Sequence, residues 1–193
     1  MIHKTAIIYP GVVIEEDVEI GAYCIIGAPP EHLKHYKEES KGVIIRKGTI
    51  LTGHVTIDGG IFEPTVIGEE CFLMKGVHVG HDSVIGRKSI ISAHACLAGH
   101  TFIGNNSNIG IGVNIHQFSL IGGGSMVGMG SNITKKSIVL PFHKVVGSPA
   151  KSIGINKNKY ETLLNWEIQV INEQYRNAKD SGMFYNTESG KTK

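Results

Sequence analysis

Aliphatic residues recur at every sixth position over a long central part of the chain. The register runs from Ile67 to Val145 without a break, and a small residue follows most of these aliphatic residues four positions later. A period of six is a multiple of the two-residue period of a strand and not of the 3.6-residue period of a helix. The pattern predicts short extended segments joined at turns, and hexapeptide repeats of this kind are typical of a parallel β-helix.

The same period occurs nearer the amino terminus but is interrupted twice. It is present from Ile8 to Ile26 and again from Ile45 to Ile57, and a slip of four residues separates Ile57 from Ile67. Residues 28–43 are charged and contain a Pro pair, so we expect them to form a loop that projects from one corner of the coil. Loops on rigid scaffolds often border binding sites.

The end of the period sets the expected domain organisation. We predict a β-helix domain over residues 1–156, with the loop 28–43 inserted into it. Residues 157–185 carry apolar side chains at spacings near three and four, which predicts an amphipathic helix. Residues 186–193 are expected to form a flexible tail.

Composition and charge exclude several classes of partner. The chain has 193 residues and a formal net charge of +2, which fits one globular domain without the broad basic face that nucleic acid or an anionic membrane would need. No segment approaches the roughly 18 apolar residues of a membrane span. The three Cys residues lack C-x-x-C spacing, so reduced thiols and a cytoplasmic location are expected. The ten His residues are the feature that points to chemistry.

The repeat resembles that of the hexapeptide acyltransferases, a family of left-handed parallel β-helices. In that family three hexads form one triangular coil of eighteen residues, and the coils stack about 4.8 Å apart. On this expectation His81 shares a column with Gly99 and Gln117, and Asp82 shares the neighbouring column with His100. His116 then lies about two coils, or roughly 10 Å, from His81. Polar side chains are therefore expected to converge on one corner.

A histidine beside an acid and near an exposed backbone N–H has the components for acyl transfer. His81 would take a proton from an attacking hydroxyl or amine, and the missing side chain of Gly99 would leave room for a substrate atom and expose an oxyanion donor. Each histidine could instead merely cap a strand corner. Zinc around His78 and His81 is another alternative, but the sequence fixes no third ligand, and we expect no metal.

Three segments resemble the UDP-N-acetylglucosamine acyltransferases of lipid A biosynthesis more closely. They are LMKGVHVGHDSVIG (73–86), CLAGHTFIG (96–104) and NIHQFSLIG (114–122), within a resemblance that covers about residues 27–156. The resemblance implies that His81 is the general base, that Asp82 supports it and that the Gly99 N–H binds the oxyanion. It also implies substrate contacts from His78, His100, His116 and Gln117.

The resemblance implies roles for three further residues. The loop segment PEHLKHY resembles the family's P-Q-D-L-K-Y, so Lys34 would reach the sugar nucleotide or the phosphopantetheine. Met129 takes the position that limits acyl-chain length, and its bulk predicts a short or medium acyl group. A G-x-P-A-K ending shared with acetyl-CoA-dependent enzymes makes Lys151 a candidate phosphate contact. The chain departs from the family at His32, which replaces an Asp, and at residues 57–60, which replace I-H-R-G.

The implied reaction moves an acyl group from an acyl carrier protein thioester to the 3-hydroxyl of a UDP-linked N-acetylglucosamine-type sugar, without a bound cofactor. The family is homotrimeric, and Phe72, Phe102 and Phe118 could pack between subunits. An acetyl-CoA-dependent acetyltransferase that acts on a nucleotide-linked amino sugar for surface polysaccharide is an alternative. A non-catalytic β-helix binding module is another, favoured by a coil about two turns shorter than the family's and a helical segment of only about thirty residues.

Overall fold

The protein is a three-sided coil of short strands, seen in a computed structural model that describes residues 1–135 and 137–181. In chain order the strands are β1 (Ile7–Ile8), β2 (Val12–Ile14), β3 (Glu19–Ile20), β4 (Ile25–Ala28), β5 (Val43–Ile45), β6 (Ile50–Leu51), β7 (Thr56–Asp58), β8 (Thr65–Ile67), β9 (Phe72–Leu73), β10 (His78–Val79), β11 (Val84–Ile85), β12 (Ile90–Ile91), β13 (Cys96–Leu97), β14 (Phe102–Ile103), β15 (Asn108–Ile109), β16 (Asn114–Ile115), β17 (Leu120–Ile121), β18 (Met126–Val127), β19 (Asn132–Ile133), β20 (Ile138–Val139), β21 (His143–Gly147) and β22 (Ala150–Ile155).

The strands form three sheets, which are the faces of the coil. Face 1 has the order β1-β4-β7-β10-β13-β16-β19, face 2 the order β2-β5-β8-β11-β14-β17-β20, and face 3 the order β3-β6-β9-β12-β15-β18-β21-β22. Neighbouring strands are parallel except β21 and β22, which pair antiparallel. His78 pairs with Cys96, and Cys96 pairs with Asn114, so residues eighteen apart are stacked. The predicted parallel β-helix is confirmed.

The aliphatic residue of each hexad points into the coil. From Ile67 to Val127 each of these side chains is at most 2% exposed, and burial of one such side chain stabilises the fold by roughly 1.5–3 kcal/mol. The small residues four positions later lie at the corners, where Ser hydroxyls donate to carbonyls of the next coil. Ser89, for example, donates to the Gly104 carbonyl at 3.2 Å. The hexad thus fixes both the apolar core and the hydrogen bonding of the turns.

The three corners of the coil share one backbone conformation. Corner 1 lies between faces 1 and 2 and comprises residues 80–83, 98–101 and 116–119 of successive coils. Corner 2 lies between faces 2 and 3 and comprises residues 86–89, 104–107 and 122–125. Corner 3 lies between faces 3 and 1 and comprises residues 74–77, 92–95, 110–113 and 128–131. The third residue of a corner has a positive φ, as in Asp82 (+55°), Asn106 (+59°) and His94 (+58°). A side chain there costs of order 1–3 kcal/mol, which the surrounding stack must offset.

Two helices follow the coil where the sequence predicts one. Helix α1 (Lys157–Thr162) and helix α2 (Asn165–Asp180) are separated by Leu163 and Leu164, which have extended conformations. Residues 182–185 of the predicted helix and the tail 186–193 lie outside the described residues. Within the described ranges, neither helix has the length and apolar character needed to cross a membrane.

Helix α2 packs against the coil along corner 2 and face 2. Ile171 is 1% exposed and lies over Gly123, where a Cβ would come 2.8 Å from an Ile171 methyl group. Tyr175 joins a small apolar cluster with Phe102 and Leu120. Phe102 is therefore covered by its own chain and is not a free flank for a subunit contact.

Candidate active site

Both interruptions of the six-residue period meet at corner 1. The loop between β4 and β5 and the turn formed by residues 59–64 leave the coil at this corner in neighbouring turns. Hydrogen bonds join their bases: the Gly59 N–H donates to the Ala28 carbonyl at 2.8 Å, and the Lys41 N–H donates to the Gly60 carbonyl at 2.7 Å. The two insertions therefore form one ridge beside the residues of corner 1.

The turn 59–64 holds the carboxylate of Asp82. Asp82 Oδ1 accepts hydrogen bonds from the N–H groups of Phe62 (2.7 Å) and Glu63 (2.9 Å), and Oδ2 accepts one from that of Ile61 (3.0 Å). Oδ2 also lies 2.8 Å from His81 Nδ1. Burial opposes the charge on Asp82, but these hydrogen bonds prevail and lower its pKa to about 2.

The charge on Asp82 sets the tautomer of His81. An ionised carboxylate only accepts hydrogen bonds, so His81 Nδ1 must carry the proton. His81 Nε2 then has a free lone pair and can act as a proton acceptor. The structure therefore brings His81 and Asp82 together in the arrangement that a general base and its orienting acid would need.

Gly99 lies directly against the His81 ring. A Cβ on Gly99 would come 2.6 Å from His81 Nε2, so a larger residue would displace the imidazole. The expectation that this space is open to a substrate atom is wrong, because the ring itself fills it. The backbone hydrogen bonds between coils at this corner run from the His100 N–H to the His81 carbonyl and from the Phe118 N–H to the Gly99 carbonyl. Among the described residues, no group accepts a hydrogen bond from the Gly99 N–H. This donor is adjacent to the proposed base.

His100 continues the cluster one coil further along. Its ring centroid lies 5.1 Å from that of His81 and 4.7 Å from that of Phe118, on which it stacks. His100 Nε2 is 3.9 Å from Asp82 Oδ2. Burial lowers the pKa of His100; the Asp82 charge opposes this, while His81 and His32 add to it. His100 is therefore biased towards the neutral form.

The insertions add aromatic and imidazole rings that the sequence analysis did not assign to the site. The His32 ring centroid lies 6.0 Å from that of His81 and 4.8 Å from that of His35. Phe62 lies 6.0 Å from the His100 ring. In the sequence, His32 is notable only because it replaces an Asp of the family. It lies outside the six-residue period, so its sequence position does not predict that it lies near His81.

A second polar group lies on face 1 next to this corner. His78 Nδ1 is 2.8 Å from the Thr56 hydroxyl, and His78 Nε2 is 3.9 Å from Asp58 Oδ2. Asp58 is 5% exposed, and its Oδ2 has no hydrogen-bond partner among the described residues. Burial raises the pKa of Asp58, and the Glu31 charge adds to this while His78 opposes it. The sequence had marked Asp58 only as part of a departure from the family.

The remaining predicted residues are dispersed. His116 is exposed and Gln117 half-buried at corner 1, in the coil after Gly99, and Lys34 is exposed on the loop. Met129 lies at corner 3 and is 74% exposed, while Lys151 is exposed on β22 of face 3. Within one chain, Met129 and Lys151 thus lie on parts of the coil other than the His81 corner.

Comparison with known proteins gives a consistent family. A family model described as bacterial transferase hexapeptide (six repeats) matches residues 64–99. The acyl-[acyl-carrier-protein]–UDP-N-acetylglucosamine O-acyltransferase of Helicobacter pylori (strain HPAG1) is 37% identical, over 84% of this chain and 61% of that protein. A protein of the same name from Thermodesulfovibrio yellowstonii is 35% identical, over 44% of this chain and 48% of its own length. The chain spans about half the length of the curated relatives it matches.

A solved structure described as a UDP-N-acetylglucosamine acyltransferase superimposes with a TM-score of 0.72 and 30% identity, covering 91% of this chain and 82% of the other. The fold and the repeat therefore define a left-handed parallel β-helix of the hexapeptide-repeat class, as predicted. Within that class, the chain belongs to the UDP-N-acetylglucosamine acyltransferase family.

Proposed function

We propose that the protein transfers an acyl group from an acyl carrier protein thioester to the 3-hydroxyl of a UDP-linked N-acetylglucosamine-type sugar. The observation that carries this proposal is the His81–Asp82 pair, with the imidazole packed beside Gly99, whose N–H has no acceptor among the described residues. The names of the curated relatives support the choice of donor and acceptor.

The proposed chemistry needs no covalent enzyme intermediate. His81 Nε2 removes the proton from the sugar hydroxyl as the oxygen attacks the thioester carbonyl carbon. The Gly99 N–H donates to the oxyanion of the tetrahedral intermediate. When the C–O double bond re-forms, the C–S bond breaks and the His81 imidazolium returns the proton to the thiolate. Asp82 stabilises the imidazolium and keeps the ring oriented.

Substrate contacts are proposed for the polar side chains around this corner. His78, His100, His116 and Gln117 would line the acceptor side, and Lys34 would approach a phosphate from the loop. Met129 and Lys151 lie elsewhere on the same chain, so they could act at this site only from a neighbouring subunit. We therefore propose a homotrimer with sites between chains, Met129 limiting acyl length and Lys151 contacting a donor phosphate. The unpaired thiols of Cys24, Cys71 and Cys96 are in keeping with a cytoplasmic location.

The experiment is mass spectrometry of products from a panel of thioester donors offered with UDP-N-acetylglucosamine. We expect O-acylated product with short or medium acyl carrier protein thioesters and little product with acetyl-CoA. Turnover of acetyl-CoA alone would overturn the proposed donor. Absence of product with every donor and acceptor would favour a non-catalytic binding module.

One observation favours the second candidate, an acetyl-CoA-dependent acetyltransferase that acts on a nucleotide-linked amino sugar for surface polysaccharide. A protonated amine on the acceptor would give Asp58 Oδ2 the hydrogen-bond donor that it lacks among the described residues. Offering the 3-amino analogue of the sugar nucleotide with acetyl-CoA tests this candidate. If it is correct, the amine is N-acetylated, and Asp58→Asn raises the KM for the amine more than for the hydroxyl acceptor.

A further inference from the structure

The His81 corner also has the composition of a metal site. Among the described residues, one ligand atom each from His81, Asp82 and His100 lie within 4.8 Å of one another. All three residues are less than 10% exposed. Ring nitrogens and carboxylate oxygens together form a typical donor set for Zn²⁺ and related transition-metal ions. The sequence analysis had considered zinc only around His78 and His81, for which no third ligand was found.

The distances match those of imidazoles that share one ion. With Zn–N bonds of ~2.0–2.1 Å and near-tetrahedral angles, two coordinated imidazoles have ring centroids roughly 5 Å apart. The His81 and His100 centroids are 5.1 Å apart. Asp82 Oδ2 lies 3.9 Å from His100 Nε2, whereas two ligand atoms of one tetrahedral Zn²⁺ lie roughly 3.4 Å apart. For an ion to enter, the Asp82 and His100 side chains must therefore move closer together.

The loop supplies a third imidazole from outside the coil. His32 lies 6.0 Å from His81 by ring centroids, so a movement of about 1 Å would bring it to the separation of coordinated rings. His32 Nδ1 accepts the Lys34 N–H at 3.3 Å, which leaves Nε2 available as a ligand. Loop backbone moves more readily than coil backbone.

The electrostatics of the cluster favour neutral rings. Burial lowers the pKa of His32, and the charges of His35, His81 and Lys34 lower it further, against the effect of Asp82. A neutral imidazole is the form that binds metal. The Asp82 carboxylate remains charged and would offset part of the charge of a cation.

We propose that His32, His81 and His100, with the charge of Asp82, bind one divalent transition-metal ion of the Zn²⁺ class, and that the ion blocks His81. Such an ion would take either the lone pair of His81 Nε2 or the proton position at His81 Nδ1, and the proposed base requires both. Binding would also close the loop over corner 1. The inhibitory part of this inference rests on the proposed acyl transfer, whereas the binding part does not.

The test is a Zn²⁺ titration of the full chain after treatment with a chelator, in competition with a chromophoric chelator. Co²⁺ absorption serves as a second readout of the ligand set. We expect one site per chain, with affinity reduced at least about tenfold by His32→Gln and by His100→Gln. His94→Gln removes an exposed imidazole at corner 3 and should leave the affinity unchanged. Mg²⁺ should not compete, because it prefers oxygen ligands.

Absence of saturable Zn²⁺ binding, or wild-type affinity in His32→Gln, would overturn the inference; circular dichroism would establish that each variant is folded. Where acyl transfer is measurable, Zn²⁺ should inhibit it, and His32→Gln should raise the Zn²⁺ concentration for half-inhibition about tenfold, with each protein compared with its own metal-free rate. Zinc binding without any acyl transfer would reject the proposed function and leave the binding site standing. Acyl transfer without zinc binding would reject the metal site and leave the proposed function standing.

Discussion

Corners 1 and 2 of the coil have the same backbone and different surroundings. Asp82 and Lys88 both occupy the third corner position, with φ of +55° and +56°. At corner 2, Gln174 accepts the Asn105 N–H at 3.1 Å, and the Arg87 guanidinium lies 5.4 Å from the Trp166 ring. Helix α2 therefore covers corner 2.

Corner 1 is bordered by the two insertions instead. The turn 59–64 fixes Asp82, Asp82 fixes the proton on His81, and the loop brings His32 close to the same ring. The comparison teaches that the hexad repeat supplies a position common to all corners, and that the segments packed against a corner set the environment of that position. Substitutions at corner 1 and at corner 2 should therefore have different effects.

The largest expected effect is on His81. We expect His81→Gln to lower the rate of acyl transfer by about 10²–10⁴-fold, since the general base is lost. The matched control is His94→Gln at corner 3, which removes an imidazole from an equivalent turn and should keep the wild-type rate. Initial rates of product formation measure both. Equal rates in wild type and His81→Gln would remove the proposed mechanism.

The next effect concerns corner 2. Ile171→Ala should lower the free energy of unfolding by about 2–4 kcal/mol, because it empties a buried contact between α2 and Gly123. Val170→Ala, a change at a more exposed position of the same helix, should cost less than about 1 kcal/mol. Urea unfolding measures these values, and the transfer rate of folded protein should be unchanged. A large fall in that rate would show that the two corners are coupled.

Asp82 links corner 1 to the pH dependence of stability. The pKa of Asp82 is about 2 in the folded protein and ordinarily near 3.8. The ionised carboxylate therefore stabilises the fold above pH ~4, and this stabilisation is lost as the pH falls through 2. The contribution is of order 2 kcal/mol. Relative to wild type, Asp82→Asn should be less stable at pH 7, and the difference should shrink below pH ~4 and vanish below pH ~2. Urea unfolding of wild type and Asp82→Asn across this pH range measures the difference, and a difference that stays constant with pH would contradict this explanation.

The smallest effect comes from a matched glycine pair. Gly99 and Gly123 hold the second position of corners 1 and 2, and a Cβ would press on His81 in one case and on Ile171 in the other. Gly99→Ala should slow acyl transfer about tenfold by moving the base. Gly123→Ala should instead lower stability by about 1–3 kcal/mol with the rate retained. If both variants lost stability but kept the wild-type rate of acyl transfer, the His81–Gly99 contact would not contribute to catalysis.

Much of the fold could be predicted from the sequence because one physical rule repeats. A single aliphatic side chain per hexad requires extended segments, and the eighteen-residue register then stacks His81 with Gly99 and Asp82 with His100. The break between α1 and α2 could not be predicted, since apolar spacing continues through Leu163 and Leu164. That break lets Tyr160 contact Phe142 while Ile171 reaches Gly123.

The candidate site was predicted in part for the same reason. Residues within the repeat, such as His100, follow from the register. The backbone N–H groups that hold Asp82, the approach of His32 and the surroundings of Asp58 depend on insertions, where no period connects sequence distance with spatial distance. The filling of the space beside Gly99 depends on the His81 rotamer, which the register does not specify.

A crystal structure of the protein with its acylated sugar-nucleotide product tests the central claim most directly. The account predicts that the ester oxygens lie within hydrogen-bond distance, about 3 Å, of His81 Nε2 and the Gly99 N–H at corner 1. Product bound at corner 2 or corner 3, with the His81 ring out of reach of the ester, would contradict it.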